Sequence, residues 1–155
     1  MAVSTTPAAS SPTSRADNTM PGWAARALDD LPLAADAEPG APWYPLQYAF
    51  GFTAFGATVF VAGEPGHVLV ELHDESGSGQ EELYVVLRGS AEFTLDGATV
   101  TGAALFVVAV RDPRVVRSAV ALEAETTLLV LGGRPTDGFE STWLSSHFEG
   151  VPRLL

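Results

Sequence analysis

The sequence contains no cysteine, no lysine and no isoleucine, and only one asparagine. Without cysteine the chain forms no disulfide and performs no thiolate chemistry. No apolar run approaches the roughly 18 residues that a membrane-spanning helix needs. Since isoleucine, lysine and asparagine have AT-rich codons, their scarcity favours a GC-rich bacterial source, such as an actinomycete.

Positive charge is also scarce along the chain. Its eight cationic residues, all arginine, oppose 19 acidic residues, and the formal net charge is −11 at pH 7. A chain this acidic is poorly suited to bind nucleic acid or an anionic membrane. The P-loop and GxSxG motifs do not occur, which argues against their nucleotide and hydrolase chemistries. We therefore expect no nucleic-acid partner and no membrane.

Composition divides the chain into segments around one domain. Residues 1–19 are rich in Ala, Ser, Thr and Pro, which favours disorder, and they lack the features of a secretory signal. A cytoplasmic location is therefore expected. Residues 20–45 are predicted to form an N-terminal arm with a short helix near Ala24–Leu28. With 155 residues in total, the chain has room for one barrel domain at 46–134, followed by a helix and tail at 135–155.

The body of the chain is predicted to be rich in strands. Short segments of Val, Leu and Phe are separated by Gly, Pro or Asp-Gly, and Asp96-Gly97 is a strong hairpin signal. Short strands at this spacing predict an all-β sandwich or barrel. The predicted strands are Leu46–Phe50, Thr58–Ala62, Val68–His73, Glu82–Leu87, Ala91–Leu95, Ala104–Val108, Val115–Val120 and Thr127–Leu131.

A short helix is predicted near the C-terminus. Trp143, Leu144, His147 and Phe148 fall on one helical face. We expect this helix to dock on the barrel or on a partner subunit, and together with the N-terminal arm it favours a homodimer.

The predicted strand Val68–His73 has an unusual polar face. Because alternate side chains on a strand point to opposite sides, Glu71 and His73 share a face with His67 and Leu69. Carboxylates and imidazoles need partners when buried. If this face points into the barrel, Glu71 and His73 lie side by side in a polar cavity.

The stretch GHVLVELHDESGSGQEELYVVLRGSAEFTLDGATVTG, at positions 66–102, resembles the first conserved motif of the cupins, small β-barrels that often hold a metal among His and Glu side chains. That motif is two His separated by one residue, then three or four residues, a Glu, six residues and a Gly. Glu82 and Gly89 match its second half, and Glu71 and His73 take the paired positions if the loop is longer. The resemblance implies an all-β, single-domain cupin barrel (a double-stranded β-helix or jelly-roll) with a disordered N-terminal segment and a short C-terminal helix.

The resemblance also implies a metal site. His73, Glu82 and Glu71 would be the ligands, with Glu81 as an alternative to Glu71, and the same first three residues would be catalytic. One imidazole with two or three carboxylates suits one divalent metal, Fe, Mn, Ni or Zn. The alternatives are a polar pocket without metal, and a His73 at the barrel rim that faces solvent.

In the second cupin motif Arg114 replaces the expected His ligand, and a guanidinium does not bind metal. Arg114 would instead neutralise the carboxylates or clamp an anionic substrate. Tyr84 lies on the same face as Glu82 and would hydrogen-bond a ligand or pack in the barrel. Surface salt bridges are expected for Arg111 and Arg117.

Structural roles are expected for the remaining polar residues. Glu81 is predicted to be a solvated edge charge, and His67 a rim residue. His147 is predicted to pack or face solvent on its helix. Asp74 and Glu75 are predicted to open a solvated turn.

Two functional hypotheses remain. The first is an enzyme that uses metal-assisted or carboxylate acid/base chemistry, of the isomerase, cyclase, lyase or dioxygenase type, on a small organic substrate that is acidic or phenolic. The alternative is a metal-free, non-catalytic cupin that binds a small molecule or serves in assembly, favoured by the loss of two standard ligand positions. An ordered polar cavity that reaches solvent would favour the enzyme, and an Arg114–Glu82 salt bridge filling the cavity would favour the module.

Overall fold

Two antiparallel sheets form the body of the protein. The computed structural model describes residues 19–20, 23–34, 40–135 and 145–155. Within these residues there is one α-helix, α1 (Leu46–Phe50), and there are 3₁₀ helices at Leu28–Asp30 and Ser145–Phe148. The strands are β1 (Thr19–Met20), β2 (Trp23–Ala24), β3 (Trp43–Tyr44), β4 (Gly56–Val61), β5 (Val68–His73), β6 (Glu81–Arg88), β7 (Ser90–Leu95), β8 (Ala98–Ala103), β9 (Val107–Val110), β10 (Arg117–Ala121) and β11 (Thr127–Gly133).

The strand order is that of a jelly-roll barrel. One sheet has the five-stranded order β3-β4-β11-β6-β9, the other has the four-stranded order β5-β10-β7-β8, and β1 pairs only with β2. Neighbours in the chain therefore often lie in opposite sheets, as β5 and β6 do. The predicted all-β barrel is confirmed.

The core lies between the inner faces of the two sheets. Tyr84 and Val86 of β6 pack with Leu128 of β11 on one side, and Leu69 and Phe93 come from the opposite sheet. The rings of Tyr84 and Phe93 meet edge to face with centroids 6.0 Å apart. Burial of each apolar side chain of this kind stabilises the fold by about 1.5–3 kcal/mol.

The Asp96-Gly97 hairpin is confirmed. Both residues have positive φ, 48° and 82°, as a two-residue turn of the primed type requires. The second arm of this hairpin, β8, was absent from the predicted strands, and the predicted strand Ala104–Val108 is wrong at its start. Leu105 has φ 73° in a turn closed by a hydrogen bond from Phe106 N to Ala103 O, so the next strand begins at Val107.

Two predictions for the N-terminal half are also wrong. Leu46–Phe50 is a helix instead of a strand, because Pro45 precedes it and Gly51 ends it in the left-handed conformation at φ 71°. The helix predicted near Ala24–Leu28 is replaced by β2 and a 3₁₀ turn. Short apolar runs fit either helix or strand, and here the flanking turn residues decide.

Strand β5 does not alternate regularly. Its pairing with β10 places His73 opposite Arg117 and Val70 opposite Ala119, so three residues on β5 span two on β10. This extra residue is a β-bulge, which changes the face that each side chain occupies. A second register shift places Val68 opposite Val120 and Val70 opposite Ala119, and Leu69 and Val70 are both buried, while Leu72 is 70% exposed. The prediction that side chains at 67–73 alternate strictly between one polar and one apolar face is therefore wrong.

Gly89, the glycine of the cupin-like motif, is required by both conformation and space. Its φ is 70°, and a Cβ at this position would lie 2.5 Å from Thr126 Oγ1 and 2.9 Å from Thr126 Cα. Thr126 is fully buried, and its hydroxyl donates a hydrogen bond to the carbonyl group of Ser90 or Glu123. The turn between β6 and β7 thus packs directly against the turn before β11.

Predictions for the two ends of the chain are tested only in small part. The disorder expected for residues 1–19 lies outside the described residues except for Thr19, and so do Trp143 and Leu144. The C-terminal segment forms the 3₁₀ helix Ser145–Phe148, in which His147 and Phe148 are exposed. In the described residues, no helix is long and apolar enough to cross a membrane. The division into segments remains a prediction.

Candidate functional site

A cavity of about 660 Å³ opens between the two sheets. Its apolar wall includes Trp43 and Phe60, whose ring centroids lie 6.3 Å apart. Its polar end is formed by Glu71 and His73 at the end of β5 and by Glu82 and Tyr84 at the start of β6. The structure therefore brings together Glu71, His73, Glu82 and Tyr84, as the sequence predicted.

Arg117 contacts the polar end of this cavity through Glu82. Its side chain is only 1% exposed. Its Nε and Nη2 donate hydrogen bonds of 2.9 and 2.6 Å to Oε2 of Glu82, and its Nη1 donates to the carbonyl oxygen of Val115 at 2.8 Å. The expectation of a surface salt bridge for Arg117 is wrong, because β10 turns this residue into the barrel.

Tyr84 completes this buried cluster. Its hydroxyl donates to Oε2 of Glu82 and accepts a hydrogen bond from Arg117 Nε at 3.3 Å. Burial raises the pKa of Tyr84, and the adjacent Glu82 carboxylate raises it further, so the phenol stays protonated. Burial alone would lower the pKa of Arg117, but hydrogen bonds to Glu82 and Tyr84 outweigh this effect and raise it. Glu82 is thus fixed in place by two rigid donors.

The imidazole of His73 has a defined orientation. Its Nδ1 lies 2.7 Å from the carbonyl oxygen of Glu71. A carbonyl oxygen only accepts, so we assign the proton to Nδ1. In the neutral ring Nε2 then carries the lone pair, and it lies 3.6 Å from Glu75 Oε1 and 3.8 Å from Glu82 Oε2.

Glu75 belongs to this cluster, although the sequence predicted a solvated turn. Its carboxylate accepts hydrogen bonds from the hydroxyl of Ser78 and from Gln80 Nε2, the latter at 3.3 Å. Its backbone N–H donates to the carbonyl oxygen of Pro113 at 2.7 Å. These bonds turn Glu75 inward, and its side chain is only 18% exposed. The neighbouring Asp74 is exposed and accepts from the Ser76 N–H, which lowers the pKa of Asp74, as expected for a turn residue.

One imidazole and two carboxylates in this cluster are ligand types that bind divalent metals. Potential ligand atoms of His73, Glu75 and Glu82 lie within 4.8 Å of one another. Two ligands that each bind zinc at about 2.0–2.2 Å lie at most about 4.4 Å apart, so the distances of 3.6 and 3.8 Å from His73 fit one ion. An ion here would share Glu82 with Arg117. Glu71, a predicted ligand, lines the cavity but is not in this cluster.

Arg114, predicted to bind substrate, lies on the surface. Its side chain is 80% exposed and forms a two-pronged salt bridge with Asp112, Nη2–Oδ2 2.7 Å and Nε–Oδ1 3.0 Å. The hydrogen bonds from Arg114 lower the pKa of Asp112 to about 2. Arg114 is not among the described residues that line the cavity, and Arg117 occupies the position expected for it beside Glu82.

Glu81 and His67 are not among the described residues that line the cavity. Glu81 pairs with Arg111 at 3.5 Å on the outer side of β6. His67 lies 3.3 Å from Glu64 and accepts a hydrogen bond from Gly63 N at 3.2 Å. His67 is therefore held in a surface loop before β5, near the rim position expected for it.

Comparison with known proteins identifies the fold. No protein-family model and no curated protein sequence matches the chain. Among solved structures, a sugar phosphate isomerase of the cupin superfamily from Silicibacter pomeroyi is 21% identical over 70% of this chain and 74% of its own, with a TM-score of 0.57. KdgF from a Halomonas species is 20% identical over 70% and 91% of the two chains, TM-score 0.56. A cupin protein from Bacteroides fragilis is 17% identical over 81% and 98%, TM-score 0.56.

The chain has the cupin fold. At these identities the likeness extends to the architecture alone, so the chemistry must be argued from the side chains. Within the cupin fold, the candidate site is a cluster of five residues. His73, Glu82 and Tyr84 line the barrel cavity, Glu75 contacts His73, and Arg117 contacts Glu82. Sequence reasoning found three of these residues. It missed Arg117, although Arg117, Ala119 and Ala121 are in phase along β10 and all three are buried.

Proposed function

We propose that this cupin is an enzyme that acts on a small organic molecule in the barrel cavity, with His73 as its proton-transfer group. The orientation of the His73 ring carries the proposal. Nδ1 is committed to the carbonyl oxygen of Glu71, so Nε2 is left as the reactive nitrogen at the polar end of the cavity.

The residues around His73 suit general acid–base catalysis. In the neutral ring Nε2 accepts a proton from substrate, for example from a carbon next to a carbonyl group. The imidazolium that forms lies near the carboxylates of Glu75 and Glu82, at 3.6 and 3.8 Å, which stabilise its charge. Return of the proton to a neighbouring atom completes an isomerisation, and its delivery to a leaving hydroxyl completes an elimination.

The carboxylate of Glu82 would be held in one position by Tyr84 and Arg117. The Glu82 carboxylate is held by three hydrogen bonds from Arg117 and Tyr84, so it does not need to reorganise during proton transfer. The Tyr84 hydroxyl donates its proton to Glu82 and is therefore a weak candidate for the acid. We propose that Tyr84 positions Glu82 and that His73 moves the proton.

A divalent cation is the alternative to proton transfer by His73, because a metal bound to Nε2 would occupy the lone pair that the proton needs. His73, Glu75 and Glu82 would hold it, and it would polarise a carbonyl or enolate oxygen of the substrate. Fe, Mn, Ni and Zn all suit one imidazole with two carboxylates. Glu71 would then remain free to contact substrate at the cavity wall.

The proposal is tested in deuterated water. Wild-type protein is incubated with a bacterial metabolite extract, alone and after loading with Mn²⁺, Zn²⁺, Ni²⁺ or Fe²⁺, and compounds that change or gain deuterium are identified by NMR and mass spectrometry. We expect at least one such compound, with loss of the change in His73→Ala and retention in His67→Ala. If no compound changes under any of these conditions, the proposed catalysis is wrong.

A non-catalytic binding module remains a second candidate. The buried Arg117–Glu82 ion pair favours it, because it engages the carboxylate of Glu82, one of the three residues predicted to be catalytic. This function predicts ligands that bind in the cavity and are recovered unchanged. In either case we propose a homodimer, which sedimentation of the full chain would test.

A further inference from the structure

Among the residues that the structure describes, no arginine lines the cavity to receive an anionic substrate. Among the described residues that line it, two are carboxylates, Glu71 and Glu82, one is His73, and none is arginine. Arg117 donates hydrogen bonds to the carboxylate of Glu82 and to backbone carbonyl groups. Arg117 is not among the described residues that line the cavity.

Glu71 gives the cavity an unmatched negative charge. Its backbone carbonyl accepts from His73, but its carboxylate has no ion-pair or hydrogen-bond partner among the described residues. It is exposed and lines the cavity, so a ligand reaches it without displacing another side chain. The rest of the chain reinforces this charge, since the net charge is −11.

The opposite wall of the cavity is apolar. Leu33, Pro42, Trp43, Phe60 and Val130 line it. A cavity of about 660 Å³ accommodates a small aromatic or aliphatic molecule with room to spare. A ligand that suits both walls has an apolar body at one end and a positive or hydrogen-donating group at the other.

We propose that the substrate of this cavity is an amine with an apolar body, and that Glu71 binds its ammonium group. This inference rests on the proposed function in taking the cavity as the substrate site. It replaces the acidic or phenolic substrate expected from the sequence, because Arg114, on which that expectation depended, lies on the surface.

Three probes that differ only in their end group test the inference. These are 2-phenylethylamine, 2-phenylethanol and phenylacetate, each titrated into the full chain at neutral pH by calorimetry and by NMR. We expect the amine to bind most tightly and the acid most weakly, with about a tenfold difference between them. Added salt should reduce this difference.

Variants of two glutamates locate the effect. Glu71→Gln keeps the shape of the side chain and removes its charge, and it should reduce the advantage of the amine over the alcohol by about threefold or more. Glu64→Gln removes the same charge from an exposed position outside the cavity lining and should leave this ratio unchanged. Equal effects of the two variants would mean that net charge, rather than Glu71, selects the ligand, and would overturn the inference.

Other results bear separately on the inference and on the proposed function. Equal or tighter binding of the acid, or no binding of any of the three probes, overturns the amine inference and leaves catalysis untouched. Conversely, amines that bind through Glu71 and are never converted support the inference and contradict the enzyme. Conversion of an anionic metabolite by wild-type protein would support the enzyme and overturn the amine inference.

Discussion

Arg117 and Glu82 form a buried ion pair across the two sheets of the barrel, with Nη2 and Oε2 2.6 Å apart. Arg117 begins β10 in one sheet, and Glu82 lies near the start of β6 in the other. Their side chains are 1% and 11% exposed. The pair therefore joins the sheets at the polar end of the cavity and also holds the carboxylate of Glu82 in position.

Removing only the cation should destabilise the protein strongly. Arg117→Met keeps an unbranched apolar side chain, removes the guanidinium and leaves the Glu82 carboxylate buried without its partner, which should lower the free energy of unfolding by about 3–5 kcal/mol. The double variant Arg117→Met/Glu82→Leu should recover much of this loss, because apolar residues replace both charges. Urea unfolding followed by circular dichroism measures all of these variants. A double variant less stable than Arg117→Met would contradict a coupled pair.

Ionisation of Tyr84 should be suppressed well above the usual tyrosine range. Because the pKa of folded Tyr84 is raised, the unfolded chain loses this proton first as pH rises through about 10. The stability associated with Tyr84 is fully present below that pH and is lost as pH rises towards the folded pKa. Tyrosinate absorbance of the folded protein between about pH 9 and 11 should therefore be the same in wild type and Tyr84→Phe. A smaller absorbance rise in Tyr84→Phe would show that Tyr84 ionises in this range.

The Arg114–Asp112 pair should affect titration without affecting the cavity. The pKa of Asp112 is lowered to about 2 by hydrogen bonds from Arg114, and NMR titration of Arg114→Ala should return it towards 3.8. The stability from this pair is present above 3.8 and is lost as pH falls through about 2. Probe binding in the cavity should be unchanged in Arg114→Ala. Weaker binding would restore the role that the sequence predicted for Arg114.

Gly89 and Gly79 illustrate two different reasons why a position requires glycine: backbone conformation and lack of space. Both have positive φ, 70° and 72°, but a Cβ at Gly79 would meet nothing within 4 Å, whereas one at Gly89 would collide with Thr126. Gly79→Ala should therefore cost about 1–2 kcal/mol through its backbone conformation alone. Gly89→Ala should cost about 2–5 kcal/mol, because overpacking adds to that term. Equal losses in thermal unfolding would contradict the close approach of the two turns.

Much of the fold was predictable because its signals are periodic. Strand β6 alternates regularly, so Glu82 and Tyr84 were correctly placed on one face, and the spacing from Glu82 to Gly89 matched the cupin motif. Arg117 has the same kind of signal, since it is in phase with two buried alanines on β10. An arginine at such a position predicts a buried acidic partner, and reading that phase would have selected Arg117 instead of Arg114.

The rest of the site depends on features that do not follow the two-residue alternation of a strand. Glu75 turns inward because Ser78 and Gln80 hydrogen-bond its carboxylate, and nothing in the composition of a Gly/Ser loop specifies that contact. The bulge in β5 likewise adds one residue between Val70 and His73, which alternation alone cannot reveal. The bulge depends on pairing with β10, and the backbone N–H of Glu75 donates to Pro113, so contacts outside β5 contribute to both features.

The structure and the cupin motif predict different residues as the third metal ligand. The structure predicts that Glu75 joins His73 and Glu82, whereas the motif predicted Glu71. Untagged protein is incubated with Mn²⁺ or Zn²⁺, freed of excess ion by gel filtration and measured by elemental mass spectrometry. If a metal takes the place of the proton on His73 Nε2, we expect about one equivalent in wild type and Glu71→Gln, and loss of the ion in His73→Ala and Glu75→Gln, because a site with three protein ligands weakens sharply when one is removed. Loss in Glu71→Gln with retention in Glu75→Gln would restore the ligand set of the motif. No ion in any of these proteins would mean that Arg117 alone balances the carboxylates, and proton transfer by His73 would then be the mechanism to pursue.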